Sequence, residues 1–134
     1  MPFYEDLSSY VYRPGRGDSD AVNVGWLARG NAFSVGEVPQ GFADRLARLT
    51  LRHPVNRMRG WQECHLCEVK YPIQIEVDDE RHPVGDAEIR VSGRDGQVYA
   101  APTLISHYVA AHGYHPPDEF VEAVMADERA VSPL

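Results

Sequence analysis

Two cysteines and two histidines are the residues of this chain whose types and spacing predict a specific chemistry. Cys64 and Cys67, the only cysteines, form a Cys-x₂-Cys motif. About forty residues later, His107 and His112 lie in a stretch with helical periodicity. Zn²⁺ accepts thiolate sulfur and imidazole nitrogen together, and four protein ligands surround it in structural sites. The sequence therefore predicts one structural Zn²⁺ bound by these four side chains.

The spacing of the histidines leaves the fourth ligand open. His107 and His112 are five positions apart, which is about 140° around an ideal helix, so they do not share one face. The second ligand can still reach the ion where a helix tightens or unwinds, and Gly113 directly after His112 permits this. His115 and His65 are the alternatives for completing the site.

A thiol oxidoreductase is one alternative use of Cys64 and Cys67. Trp61 upstream of the Cys-x₂-Cys motif resembles thioredoxin-like sites, in which a lowered thiol pKa produces a nucleophilic thiolate. That motif belongs between a strand and a helix, whereas strands are predicted after Cys67.

A metal-dependent hydrolase or nuclease is the other alternative. It requires an open coordination position and a general base. The nearby carboxylates, Glu63, Glu68 and 78–80, have no diagnostic spacing, and four protein ligands leave no vacancy. A treble-clef nuclease would also use a hairpin histidine, for which His82 is the candidate, and a basic face for DNA.

Composition limits the class of protein. The 134 residues are 43% apolar and 25% charged, which is typical of one folded domain. The net charge of −7 argues against nucleic acid as a partner, because phosphate binding needs a basic surface. No apolar run is long enough to cross a bilayer, and no secretion signal is recognisable. We therefore expect a cytoplasmic protein whose thiols stay reduced, with a protein partner that the sequence does not identify.

The predicted fold class is α+β, with a small antiparallel sheet and three packed helices. Residues 1–20 are assigned to a flexible N-terminal arm and residues 21–134 to a single zinc-stabilised domain. The predicted elements are a short strand or buried segment at 22–27, helices at 38–52, 102–113 and 117–127, a strand at 73–77, a charged loop at 78–86, and a hairpin of 87–91 with 97–100. A knuckle, then a hairpin, then a helix with the second ligand pair is a treble-clef-like order. These features favour a non-enzymatic protein-interaction or regulatory module.

Several stretches resemble a family of small uncharacterised bacterial proteins typical of actinobacteria. The stretches are 23–27, 36–39, 53–57, Cys64–Cys67, 87–91, 99–102, 107–114 and 116–120. The resemblance covers most of the chain beyond residue 20. It implies a bacterial, cytoplasmic, zinc-binding protein and supplies no substrate.

Overall fold

The computed structural model describes residues 3–10, 20–67, 69 and 72–131. The elements are β1 (Val22–Asn23), α1 (Phe42–Arg52), β2 (Ile73–Val77), β3 (Glu80–Val84), β4 (Glu88–Ser92), β5 (Val98–Pro102), α2 (Ile105–His112) and α3 (Asp118–Ala126). A short 3₁₀ turn, Glu128–Ala130, follows α3. Three helices with small sheets confirm the predicted α+β class. Residues 11–19, Glu68 and 132–134 lie outside the described residues, and so do the predictions made for them.

The strands form two sheets where a single one was expected. In the first sheet the order is β1-β5-β4, with β1 parallel and β4 antiparallel to β5. In the second sheet β2 pairs with β3 in antiparallel register. The predicted hairpin is confirmed as β4 and β5, each displaced by one or two residues from its expected bounds.

The prediction of a charged loop at 78–86 is wrong, because Glu80–Val84 forms strand β3. Asp78 and Asp79 have φ values of 53° and 65°, so both central residues of the connection adopt the left-handed conformation that a tight hairpin needs. The register pairs Val77 with Glu80 directly across this turn. The charges and Pro83 concealed the strand, although a strand that pairs on one side tolerates proline.

The three predicted helices are present, and each begins later than expected, α3 by only one residue. Gly41 precedes α1 with φ 88°, a left-handed conformation that excludes it and the residues before it from the helix. Pro102 is not the first helical residue but the last residue of β5, where it pairs with Glu88. Gly113 is the C-terminal cap of α2, with φ 68° in the left-handed region.

Helix packing is organised around aromatic side chains that are fully buried. The ring of Phe120 on α3 meets those of Phe42 on α1 and Tyr99 on β5 edge-on, with centroids 6.5 and 5.8 Å apart. Trp26 is buried in a smaller cluster, as expected, whereas Trp61 is only half-buried. In the described part of the chain, the helices are too short or too polar for any of them to traverse a bilayer.

Residues 3–10, which we call the N-terminal segment, lie along β1. Leu7 N–H donates to the Asn23 carbonyl at 2.6 Å, and Asn23 N–H donates to the Ser8 carbonyl at 2.7 Å. Tyr10 is buried, and its hydroxyl donates to the carboxylate of Glu88 at 2.9 Å. The boundary between an arm and a domain at residue 20 remains a prediction.

Candidate metal centre

The four side chains predicted as metal ligands lie together. Cys64 Sγ is 3.4 Å from His112 Nε2, and Cys67 Sγ is 3.5 Å from His107 Nε2. All four potential ligand atoms lie within 4.8 Å of one another. Cys64 and His107 are buried, while Cys67 and His112 are half-buried, so the group lies at the edge of the core.

The sulfur–nitrogen separations fit a tetrahedral ion. An ion about 2.3 Å from each sulfur and about 2.1 Å from each nitrogen requires S···N separations of about 3.6 Å at tetrahedral angles. The observed separations of 3.4 and 3.5 Å lie close to this value. The imidazole rings of His107 and His112 are also nearly perpendicular, with an interplanar angle of 80°. The four residues therefore could hold a metal ion without rearrangement of the backbone.

A widened last turn of α2 brings the two histidines to the same point. The N–H groups of Gly113 and Tyr114 both donate to the carbonyl of Tyr108, five and six residues earlier. A turn closed by such bonds holds more than 3.6 residues, so each residue advances less than 100° around the axis. This change reduces the 140° offset between His107 and His112 that an ideal helix would impose.

The cysteines lie in a tight backbone turn, Cys64–Cys67, which we call the knuckle. Backbone N–H groups of this turn lie beside the sulfur of Cys64. Burial raises the pKa of Cys64, and the backbone N–H groups of Leu66 and Cys67 beside its Sγ lower the pKa in part. The guanidinium of Arg29 donates from Nε to the His65 carbonyl at 2.8 Å and so fixes the outer side of the knuckle. Backbone donors aimed at a sulfur stabilise its charged form, which is the form that binds metal.

Gly85 connects the knuckle to the beginning of α2. Its carbonyl accepts from Gln62 N–H at 2.9 Å, and its own N–H donates to Thr103 Oγ1 at 2.9 Å. Gly85 has φ 115°, and a Cβ there would lie 3.1 Å from the Gln62 carbonyl oxygen and 3.4 Å from Leu104 Cδ2. Only glycine fits this backbone conformation and this spacing. The segment before Cys64 and the start of α2 are thus held in register through one residue.

Burial opposes charge on the site in the absence of a cation. It raises the pKa of Cys64 to about 11, with the neighbouring Cys67 adding to the effect. Burial also lowers the pKa of His107, and the nearby imidazole of His112 lowers it further. A neutral imidazole is the form that binds metal, whereas two adjacent thiolates, one of them buried, need a positive ion beside them.

The other candidate residues of the sequence analysis lie outside this group. His65 is exposed on the knuckle, and the ring of His115 lies 4.0 Å from the carboxylate of Asp118. His82 is on β3, 3.8 Å from Glu80. Neither His65 nor His115 belongs to the four-residue group formed by the described residues.

Sequence reasoning missed the residues that position the ligands. Arg29, Gly85 and Thr103 lie 16 to 36 positions from the residues to which they bond. Nothing in local spacing indicates these contacts. The one available signal was Gly85 next to a run of charged residues, which indicates a turn rather than its bonding partners.

Comparison with known proteins places the chain in a family without supplying an activity. No curated protein and no solved structure matches it. Residues 2–125 match the family described as "Domain of unknown function (DUF7919)". The match spans nearly the whole chain and agrees with the resemblance to an uncharacterised family. The protein belongs to the DUF7919 family.

Proposed function

We propose that Cys64, Cys67, His107 and His112 bind one structural Zn²⁺. The observation that carries the proposal is the convergence of two sulfur and two nitrogen atoms within 4.8 Å, from a knuckle and from a helix far along the chain. Two thiolates and two imidazoles form a complete tetrahedral shell for zinc.

The donor set selects the metal. Ca²⁺ and Mg²⁺ take oxygen ligands, and a site with two sulfurs and two imidazole nitrogens is unlike theirs. Zn²⁺ has no redox chemistry and no electronic preference that would oppose a tetrahedron. Its borderline softness suits mixed sulfur and nitrogen ligands, so zinc is the ion that this group fits best.

A site closed by four protein ligands favours a non-enzymatic role. Catalytic zinc keeps one coordination position for water or substrate. Here four protein ligands would occupy all four positions of a tetrahedral ion. We propose that the protein is a zinc-stabilised interaction or regulatory module with a treble-clef-like order of knuckle, hairpins and helix. The net charge of −7 favours a protein partner over nucleic acid. Free thiols used as ligands suit the reducing cytoplasm of a bacterium.

Cobalt substitution tests the closed shell directly. Co²⁺ in place of zinc reports its ligands through visible absorption, and sulfur ligands add a charge-transfer band. We expect a tetrahedral spectrum with sulfur-to-metal charge transfer that azide does not alter. A spectrum that changes on azide addition would reveal an open position and overturn the non-enzymatic role. A spectrum without the sulfur band would overturn the ligand assignment.

A further inference from the structure

We propose that Asp6 is a positioning residue for the metal centre, acting through Tyr114 on the His112 end of α2. Docking of the N-terminal segment and metal binding then strengthen each other. This inference rests on the proposed metal-binding function and adds a regulatory contact to it.

The carboxylate of Asp6 bridges two parts of the chain on either side of α2. Its Oδ2 accepts from the Tyr114 hydroxyl at 2.7 Å, and its Oδ1 accepts from Gly25 N–H at 3.0 Å. Gly25 lies against the beginning of the helix, since a Cβ on it would be 2.7 Å from Ile105 Cδ1. The carboxylate of Asp6 therefore contacts Tyr114, shortly after the end of α2, and also Gly25, which packs against the start of the same helix.

Tyr114 transmits this contact to the ligand. It lies two positions after His112, its side chain is fully buried, and its N–H donates to the Tyr108 carbonyl at 3.2 Å. That hydrogen bond is part of the widened turn that brings His112 towards Cys64. A hydroxyl fixed by Asp6 limits how far Tyr114 can shift, and with it the turn.

The opposite side of the same turn is held by backbone hydrogen bonds and by the ring of Phe33, which meets that of Tyr114 edge-on with centroids 6.2 Å apart. Gly36 N–H donates to the Gly113 carbonyl at 3.1 Å, and His115 N–H donates to the Ser34 carbonyl at 2.9 Å. These bonds position the chain after α2 but leave the tyrosine ring without a polar anchor. Among the described residues, the side chain to which the Tyr114 hydroxyl donates is that of Asp6.

The N-terminal segment is bent at the point where it delivers Asp6. Leu7 has φ 70°, a left-handed conformation that is uncommon for a leucine. The bend lets residues 8–10 follow β1 while Asp6 turns towards Tyr114. Such a conformation persists only where surrounding contacts fix it, and the bonds of Asp6 are among those contacts.

Thermodynamic linkage makes the coupling reciprocal. If docking of the segment strengthens metal binding by some factor, metal binding strengthens docking by the same factor. Any event that detaches residues 3–10 would then lower the affinity for the ion, and loss of the ion would weaken docking of the segment.

Zinc affinity of full-length variants, measured by competition with a chromophoric chelator, tests the coupling. We expect Tyr114→Phe and Asp6→Ala each to raise the zinc Kd about tenfold, the lower end of the range for outer-shell partners of metal ligands. Asp6→Asn keeps an acceptor oxygen and should therefore lose less zinc affinity than Asp6→Ala. Because the two residues act through one hydrogen bond, the double variant should bind zinc no more weakly than either single variant.

Two control variants separate positioning from general loss of stability. Tyr99→Phe removes the hydroxyl of another buried tyrosine, and Glu5→Ala removes a neighbouring exposed carboxylate. Both should keep the wild-type Kd. The cobalt spectrum should change in Tyr114→Phe and stay unchanged in Tyr99→Phe, because only the first displaces a ligand.

Each outcome has one meaning. The coupling would be overturned, while zinc binding stands, by a wild-type zinc Kd in both Tyr114→Phe and Asp6→Ala. A loss of zinc affinity no larger than that of Tyr99→Phe would overturn it equally. If Tyr114→Phe does not fold, the comparison of Asp6→Ala with Glu5→Ala decides in the same way. Wild-type protein that binds no zinc would overturn the proposed function, and the coupling with it.

Discussion

The Sγ atom of Cys67 lies 3.5 Å from Nε2 of His107, although forty positions of sequence separate the two residues. An ion shared by them would close a long loop that includes β2, β3, β4 and β5. The unfolded chain has no preformed site, so the free energy of metal binding contributes to the free energy of folding.

Metal removal should therefore destabilise the whole domain. Structural zinc contributes on the order of 10 kcal/mol to folding near neutral pH. We expect the protein treated with a chelator to melt at least about 10 °C below the zinc-loaded protein, or without a cooperative transition. Circular dichroism melts before chelation, after chelation and after zinc is restored provide the measurement. Identical melting of all three samples would show that the fold does not depend on an ion.

Substitution of single histidines should identify the fourth ligand. His112→Gln should raise the zinc Kd by more than about 100-fold, above the usual effect of an outer-shell change. His115→Gln and His65→Gln are matched controls on the alternatives that the sequence left open, and both should retain zinc. The measurement is chelator competition on all three variants. Zinc lost from His115→Gln but kept by His112→Gln would reverse the assignment.

Much of the site followed from residue type and spacing. Cys64 and Cys67 are chemically distinctive, and a helix carrying His107 was recognisable from its apolar periodicity. What spacing could not provide was the reach of His112, because an ideal helix places it about 140° away. The left-handed Gly113 and the bonds to Tyr108 resolve that difficulty, and such bonds are a property of the folded turn.

The fold was predictable where patterns are local. Alternation identified β2 and β4, whereas β3 was missed since its charges and Pro83 conceal a strand that depends on the Asp78–Asp79 turn. The contacts of Gly85 and Asp6 join distant segments. Local sequence carries no signal for them.

Gly85 should be intolerant of a side chain for two separable reasons. Gly85→Ala introduces a left-handed strain and a close contact with the Gln62 carbonyl. Gly96→Ala is the matched control, because Gly96 has φ 84° and open space around it. We expect both to lose stability through strain, and Gly85→Ala to lose about 1–3 kcal/mol more. Denaturant unfolding of the zinc-loaded proteins measures the difference, and equal losses would contradict a positioning role for Gly85.

Tyr10 should make stability depend on alkaline pH. Burial, and after it the hydrogen bond to Glu88, together raise the pKa of Tyr10 to about 12, although the nearby guanidinium of Arg90 opposes the shift. The folded state thus holds this proton more tightly than the unfolded state, whose pKa is 10. The stabilisation is complete below pH 10 and is lost as pH rises towards 12.

Tyr10→Phe isolates that contribution. The variant keeps the ring and lacks the titrating hydroxyl, while all other tyrosines are shared with the wild type. We expect the free energy of unfolding of the wild type to fall relative to that of Tyr10→Phe between pH 10 and pH 12, in denaturant titrations at fixed zinc. A difference that is constant across this interval would show that Tyr10 does not titrate between the two states.

X-ray absorption at the metal edge, combined with metal analysis of the purified reduced protein, tests the metal centre most directly. We expect one zinc per chain, with two sulfur neighbours at about 2.3 Å and two nitrogen neighbours at about 2.0–2.1 Å. A protein that is folded yet metal-free, or an ion surrounded by oxygen and nitrogen alone, would contradict the account.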